Sequence, residues 1–495
     1  MNRIVNRMTL TLVRILIIGL VLLGVGCARY APKPLSGASP TPPPQWISGT
    51  LAESTPGADW WAYFQDERLA QAIQTALENS HDLQAAAARI EAARAESTIA
   101  KAPELPAIEA GFNRSQQRQN FVGLPIPGQE DTVLSTTSTS TRLQLGASWE
   151  PDLWDRIRAG SMASFRNIQV RQAELASLRL SLSGQIASAW FSAIEASRQA
   201  ALGRATLQNF ETSAERIRAR FEAGVRSSLD LRLALAEVSR ARALLDARNE
   251  QLARAVRQLE TLMGLYPAGH ITVGNDLPDP ASVIPGGLPS ELVYRRPDLL
   301  AAELRALAAE WRIIQARASL RPSFVLTSST GTASDQLRDL LDGDFFIWSL
   351  VGNLLQPIFN NGRLRAAVDR DAALSREAFA NYESLVLRAY GEVESALAAE
   401  EFLDRRQQAL ADAVNHAVAA RELAEQRYRS GLTDITTVLS AQRTAFDSES
   451  QLLAVRRLRL ENRINLHLAL GGGFDTSDIP SAIALPQLAV QEEVP

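Results

Sequence analysis

The chain is poor in the residues that build covalent staples and metal sites. Its single cysteine, Cys27, excludes an internal disulfide framework and a cysteine-rich zinc site. Its four histidines, His81, His270, His416 and His467, show no metal-ligand spacing, so each reads as an ordinary surface or packing residue and no cofactor is expected. There is no Gly-x-Ser-x-Gly elbow and no phosphate-cradling loop, so nothing points to an enzyme. An excess of one charge is lacking as well. The 51 Lys and Arg against 55 Asp and Glu give a net charge of -4, which offers no basic surplus for nucleic acid. With 46% hydrophobic and 21% charged residues, the chain is not a disordered one. Proline is missing from two long stretches, between Pro151 and Pro267 and between Pro357 and Pro480. Both are free to be continuous helix.

The apolar run from Ile15 to Val25 has 11 residues, too short to span a bilayer as a stable helix. Arg3, Arg7 and Arg14 precede it, and the small residues Gly24 and Gly26 bracket Val25 just before Cys27. This is the layout of an export signal over residues 1–26. The segment resembles a bacterial lipoprotein signal, departing from it in having Gly24 where Leu is usual, one step after Leu23. The resemblance implies that Cys27 becomes the acylated first residue of the mature chain, and that Ala28 beside it favours the outer membrane. Pro32, Pro34, Pro40, Pro42, Pro43 and Pro44 then make residues 27–59 an extended tether.

The body is one unit written twice. Asp82, Leu83, Arg89 and Pro106 recur 216 residues later as Asp298, Leu299, Arg305 and Pro322. Arg220, Gly224, Ala234, Leu259 and Gly264 recur 207 residues later as Arg427, Gly431, Ala441, Leu466 and Gly471. Offsets shared across different residue types mark an internal duplication. It divides the chain into a first repeat over 60–266, a linker over 267–289, a second repeat over 290–472 and a tail over 473–495. The segment from Pro106 to Pro151 is ten residues longer than that from Pro322 to Pro357, and the insertion is expected in a loop.

Each repeat reads as helix, two strands and a helical hairpin. Residues 65–100 and 290–317 have apolar positions at helical spacing. The period then changes to two. Strands are expected at about 104–116, 138–150, 322–330 and 345–355, where Ile108, Ala110 and Phe112, then Leu143, Leu145, Ala147 and Trp149, alternate with polar neighbours. The alternation is weaker around Phe324 and Leu326 and around Phe346, Trp348 and Leu350. The Ser-, Thr-, Gly- and Asp-rich segments 117–137 and 329–343 read as loops. Such strands suit either a wall between lipid and water or a soluble, half-buried sheet, and periodicity alone does not separate the two. Four strands cannot close a membrane barrel, which takes about eight, so membrane-spanning strands would have to be shared among several chains. The proline-free stretches predict hairpins over 155–264 and 360–470, with helices Asp155 to Glu222 and Leu229 to Met263, then Arg363 to Tyr428 and Ile435 to Leu470. They turn at Gly224 and Gly431, and their Leu stripes and Arg/Glu pairs are those of a coiled coil.

Several segments carry a family resemblance. The run from Gly287 through Arg295-Arg296-Pro297-Asp298-Leu299, the junction Trp149-Glu150-Pro151-Asp152-Leu153-Trp154-Asp155-Arg156, and the turns Arg220-Phe221-Glu222-Ala223-Gly224 and Arg427-Tyr428-Arg429-Ser430-Gly431 resemble outer-membrane efflux lipoproteins of the TolC superfamily. The branch is the NodT-like one that serves resistance-nodulation-division pumps. The resemblance, from about Trp60 to Gly472, implies an α plus transmembrane β fold in which a homotrimer shares one twelve-stranded barrel in outer-membrane lipid, continued by a periplasmic α-barrel. It implies a passive duct for drugs or other small toxic solutes, energised by an inner-membrane pump through a periplasmic membrane-fusion adaptor. Arg220, Phe221, Gly224, Arg427, Tyr428 and Gly431 would be the docking turns. Relatives carry gate carboxylates where this chain has Thr437 and Ser440, which leaves Asp230, Asp434, Ser440 and Arg443 as gate candidates, with Arg443 expected to pair with one of the two aspartates. A type I secretion duct shares the fold, and a non-channel envelope lipoprotein is the other alternative. A lipid-anchored hydrolase lacks a nucleophile constellation. The signal reading is checked by labelling with radioactive palmitate: Cys27→Ser abolishes incorporation, and retained label contradicts the assignment.

Overall fold

The chain passes twice through one succession of elements in the computed structural model, which describes residues 43–49, 57, 59–121, 134–279, 289 and 292–474. A 3-10 turn at Trp60–Phe64 leads into helices α1 (Glu67–Asn79) and α2 (His81–Lys101). Strands β1 (Ala107–Phe121) and β2 (Leu134–Trp149) and helices α3 (Arg156–Glu222) and α4 (Ser228–Leu262) complete the first pass. The second comprises α5 (Leu292–Arg295), α6 (Pro297–Ala318), β3 (Ser323–Ser334), β4 (Phe346–Leu355), α7 (Arg363–Arg429) and α8 (Ile435–Ala469). Cys27, residues 280–288 of the linker and the tail from 475 lie outside the described residues. By contacts the chain divides into two units, one with residues 1–36, 91–168 and 304–380, the other with 37–90, 169–303 and 381–495.

The proline-free stretches are helical almost throughout. Helices α3 and α7 have 67 residues each, about 100 Å at about 1.5 Å per residue. The helical pattern over 65–100 is two helices instead of one. Asp66 accepts from the backbone N–H groups of Arg68 and Leu69 at 3.0 and 3.1 Å and starts α1. Ser80 adopts an extended conformation at its end, and its hydroxyl accepts from Leu83 N–H at 3.3 Å to start α2. The pattern over 290–317 likewise breaks at Arg296, where Pro297 disfavours helical geometry in the residue before it.

In the first unit the strands form one antiparallel sheet in the order β1-β2-β3-β4. The ladder runs further than the hydrophobic alternation does. Residues 117–121, 134–137 and 329–334, read from sequence as loop, are strand, because Ser, Thr and Gln pair their backbones as well as apolar residues do. The extra length of the first repeat therefore lies mainly in its strands. β1 and β2 have 15 and 16 residues against 12 and 10 in β3 and β4.

The register gathers the separate alternations onto one face. Directly opposed rows are Phe112, Leu143, Thr332 and Phe346; then Ala110, Leu145, Thr330 and Trp348; then Ile108, Ala147, Ser328 and Leu350. Trp149, Leu326, Phe324 and Leu354 extend that face toward the helix-proximal strand ends. The other face carries Glu109, Asn113, Arg142, Gln144, Thr327, Ser329, Ser349 and Asn353, interrupted on β4 by Ile347 and Val351. Every residue of β4 is exposed, Trp348 by 71% and Leu354 by 68%, so in a single chain the apolar side of this strand meets no protein.

The second unit has a conventional core. Trp60, Phe64, Leu69 and Ile73 pack with Trp190, Phe191 and Ile194 of α3, Leu259 of α4, and Leu460 and Ile464 of α8. Gly184 lets α3 and α8 approach closely, since a Cβ there would lie 2.4 Å from Leu468 Cδ1. Beside this core Arg463, 3% exposed, donates to Glu400 at 2.7 Å and to the Tyr63 hydroxyl at 3.1 Å, and Arg459 donates to the same carboxylate at 2.8 Å. Burial alone would raise Glu400; the two guanidiniums hold it below the usual carboxylate value.

His467 is 1% exposed, stacked on Trp60 at 5.6 Å and edge-on to Tyr63 at 4.9 Å, with neither ring nitrogen hydrogen-bonded. Burial, with the Arg463 charge adding to it, pushes its pKa from 6.5 down to about 4. The ring is neutral in the fold, whereas the unfolded chain takes up a proton below about 6.5. Its contribution to stability is therefore complete above about pH 6.5 and is lost as pH falls toward 4. Melting in detergent between pH 7.5 and 4.5 tests this: the parent chain loses stability over that interval, and His467→Phe reduces the loss. An unchanged slope in the variant contradicts it.

Candidate functional site

The two hairpin turns are built alike. α3 ends with Gly224 at φ +73° and α7 with Gly431 at φ +77°. Val225 N–H reaches back to Arg220 C=O at 2.9 Å while Gly224 N–H reaches Phe221 C=O at 2.8 Å; Leu432 and Gly431 repeat this on Arg427 and Tyr428 at 2.9 and 3.1 Å. This double closure satisfies the last helical carbonyls and requires a left-handed residue at the glycine. Nothing lies within 4 Å of a Cβ built at either position, so conformation rather than space selects glycine there.

The side chains of the turns are not alike. Tyr428 is buried, with Arg220 and Arg226 over its ring at 5.4 and 4.8 Å, and Arg220 also donates to the carbonyls of Tyr428 and Arg429 at 3.4 and 3.3 Å. Their counterparts in the other repeat, Phe221 and Arg427, are exposed. Behind the turns Phe210, Ile217, Ala234, Ala424, Val438 and Leu439 form a common apolar cluster.

Of the gate candidates, Asp434 serves as the N-cap of α8. Its carboxylate accepts from the Thr437 hydroxyl at 2.6 Å, Thr437 N–H at 2.9 Å and the Thr436 hydroxyl at 3.0 Å, and these bonds hold its pKa below the usual value. Asp230 lies in the first turn of α4, where the Ser227 hydroxyl caps its N–H at 3.2 Å. Ser440 is exposed, and its C=O accepts from the Thr444 hydroxyl at 3.0 Å. Arg443 pairs with neither aspartate. It makes a two-pronged ion pair with Glu237 of α4, with Nε to Oε2 at 3.0 Å, and Arg240 reaches the same carboxylate at 2.9 Å. Glu237 is 4% exposed. Sequence reading missed it, although a lone carboxylate between Ala234 and Ala241 on the apolar stripe of α4 is the signal of a buried ion pair.

The two other motifs are structural ties. In the second unit Arg296 grips Asp298 in a fork at 3.0 and 2.7 Å, donates to Glu392 at 2.6 Å and reaches the C=O of Ala469 at 3.4 Å, binding the start of α6 to α7 and to the end of α8. In the first unit Arg156 forks onto Glu150 at 3.3 and 2.7 Å, and Asp155 takes the turn between β2 and α3 at φ +57°. Trp154 donates to the C=O of Pro322 at 2.7 Å beneath the Arg321 guanidinium. No helix among the described residues is long and apolar enough to cross a membrane.

Comparison with known proteins agrees with this architecture. The model of the outer membrane efflux protein family matches residues 72–265 and 288–472, one segment on each repeat. The pyoverdine export outer membrane protein OpmQ of Pseudomonas putida is 33% identical over 473 residues, covering 92% of this chain and 96% of its own. The toluene efflux pump outer membrane protein TtgF, from another strain of Pseudomonas putida, is 33% identical over 420 residues, covering 84% and 86%. The open state of the MtrE outer membrane channel of Neisseria gonorrhoeae superposes with a TM-score of 0.77 at 28% identity, covering 90% of this chain and 98% of that one. With both repeats matched and relatives similar along most of their length, the chain belongs to the outer membrane efflux protein family.

Proposed function

We propose that three copies of this outer-membrane efflux protein close one twelve-stranded barrel, each giving four strands, and that their helical hairpins line a periplasmic α-barrel. The observation that carries the reading is the sheet. Among the described residues β1 and β4 are each paired on one side only, and one sheet face is apolar across all four strands. In hydrocarbon an unpaired edge leaves backbone groups without partners at several kcal/mol each, so only a closed barrel is stable there. From the Phe112 row to the Phe324 row the apolar face spans eight residue steps along β3, from Thr332 to Phe324, roughly 27 Å of strand at about 3.4 Å per residue and close to the ~25 Å lipid-facing band of outer-membrane barrels. Phe112, Phe346 and Trp348 lie toward one margin and Trp149 and Phe324 toward the other, as interfacial aromatic girdles do.

The polar face then lines a water-filled passage that conducts solutes passively from periplasm to exterior. The duct serves a tripartite pump, with a periplasmic adaptor engaging the turns around Arg220, Phe221, Gly224, Arg427, Tyr428 and Gly431 and an inner-membrane resistance-nodulation-division pump supplying energy. Acylation of Cys27 would add a lipid anchor. The names of OpmQ and TtgF, exporters of pyoverdine and toluene, favour small-molecule efflux over a type I secretion duct.

At the constricted end we assign the closing role to the Glu237–Arg443 pair, which ties α4 to α8. Asp434 and Asp230 then act through helix ends rather than as a ring of free carboxylates, and Ser440 only accepts from the Thr444 hydroxyl within α8. Recording in planar bilayers tests channel and gate together. The parent chain forms a pore of low conductance, and Arg443→Ala and Glu237→Gln each raise it several-fold, the double variant no further than the singles because both cut one interaction. A chain that inserts without conducting contradicts the channel; conductance unchanged in both variants contradicts the gate.

A further inference from the structure

Where the sheet gives way to the helices, the first unit encloses a cavity of about 270 Å³. Its wall is drawn from three junctions, β2 to α3, α6 to β3 and β4 to α7. The lining holds three arginines, Arg156, Arg321 and Arg363, and two carboxylates, Glu150 and Asp152. Both carboxylates are engaged. Arg156 forks onto Glu150 at 3.3 and 2.7 Å, and Asp152 accepts from Arg158 N–H at 2.7 Å. Arg321 and Arg363 have no carboxylate partner among the described residues. Arg321 lies over the Trp154 ring at 4.8 Å, and the indole is itself held by the C=O of Pro322 at 2.7 Å. A guanidinium stacked on a ring keeps its N–H edge free for an anion.

The duplication shows where this surplus charge arises. Pro151 recurs as Pro357, so Glu150 corresponds to Gln356, and Arg156 and Arg363 each open a helix of 67 residues. The first repeat gives its arginine a carboxylate. The second gives its arginine a neutral amide, and Gln356 donates instead to the C=O groups of Leu320 and Pro357 at 3.2 and 3.0 Å. No acidic residue lies between Pro357 and Arg363. Arg321 is likewise an addition, since the position 216 residues earlier is Leu105. Two positive charges without carboxylates are thus brought to one corner, beside the acid-free first turns of α3 and α7, whose N–H ends add to the pull on an anion.

On the basis of the membrane-spanning sheet proposed for this chain, we propose that the cavity holds the headgroup of an anionic phospholipid of the periplasmic leaflet, with Arg321 and Arg363 on its phosphate. The place fits such a lipid. Phe324 stands in the wall of the cavity and is also the helix-proximal end of the apolar face, opposite the exposed Leu354. Leu153 in the wall is exposed, as are Ile358 and Phe359 between Pro357 and Arg363. Acyl chains therefore run along the apolar face while the phosphate stays at the level where strands become helices. Guanidinium groups pair with phosphate oxygens through parallel N–H bonds, and basic pockets beside membrane-spanning segments take anionic headgroups. A zwitterionic headgroup brings an ammonium that needs a carboxylate, and both carboxylates here are engaged. A headgroup of phosphatidylglycerol type has no such need and finds the hydroxyls of Ser319 and Ser323 in the wall.

Native mass spectrometry of the full chain, extracted from outer membranes in mild detergent and mixed with phosphatidylglycerol or phosphatidylethanolamine of the same acyl chains, tests the site. The parent retains one phosphatidylglycerol per copy and prefers it several-fold over phosphatidylethanolamine. Arg321→Gln combined with Arg363→Gln removes the preference. Arg363→Gln alone, which breaks no ion pair, lowers it and keeps the test decisive if the double variant fails to assemble. Arg338→Gln, which takes away an exposed arginine in the turn between β3 and β4, leaves it unchanged. Melting separates the two sources of phosphate: phosphatidylglycerol raises the Tm of the parent, inorganic phosphate at the same concentration does not, and equal shifts from both overturn the lipid as occupant. A species of three copies without the preference, or with a preference that survives in both variants, overturns the site and leaves the shared barrel standing. A folded species of one copy overturns the barrel and the site with it.

Discussion

A strand in hydrocarbon must find a partner on each side, and among the described residues this chain carries a four-stranded sheet with two partnerless edges and an apolar face left exposed along β1 and β4. Much of the remaining design answers that constraint. Closing the sheet on itself is geometrically barred, and leaving it open would strand backbone donors and acceptors in lipid. The barrel proposed to be shared among copies resolves both problems. A water-filled passage then requires no further assumption, because the register that collects apolar residues on one face collects Glu109, Arg142, Gln144 and Asn353 on the other.

The helical part solves a different problem, the length of an unsupported rod. Isolated helices as long as α3 and α7 depend on packing rather than on propensity for their stability. The second unit supplies packing at two places, the large core around Trp190 and Phe191, which takes in α3, and the small cluster behind the turns around Phe210 and Tyr428, which α3 and α7 share. Polar ties sit beside both. Glu400 with its two arginines flanks the first, and Glu237 with Arg443 the second. A buried carboxylate such as Glu237 loses more when its arginine is removed than the intact pair contributes, which suits the closing role proposed for it.

The periodic features were legible in sequence: long helices from missing prolines, turns from Gly224 and Gly431, strands from alternation, and duplication from shared offsets. What escaped depended on partners far away in the chain. The pairing of Arg443 with Glu237 joins residues 206 positions apart, whereas the expectation built on nearby aspartates offered Asp230 or Asp434, and the Oδ1 of Asp434 is already engaged with Thr436 and Thr437. Strand ends escaped for another reason. Ser and Thr residues beyond the lipid-facing rows lack alternation, yet their backbones still pair. The Arg296-Pro297-Asp298 run, a family signature in sequence, acts in the fold as a clasp on α7 and α8 rather than as a contact for solute.

The shared barrel is most directly tested by the mass of the protein extracted from outer membranes in mild detergent, read by native mass spectrometry. The account predicts a single species of three copies that keeps its β-sheet signal in circular dichroism. A folded species of one copy, with the same β-sheet signal, would contradict it.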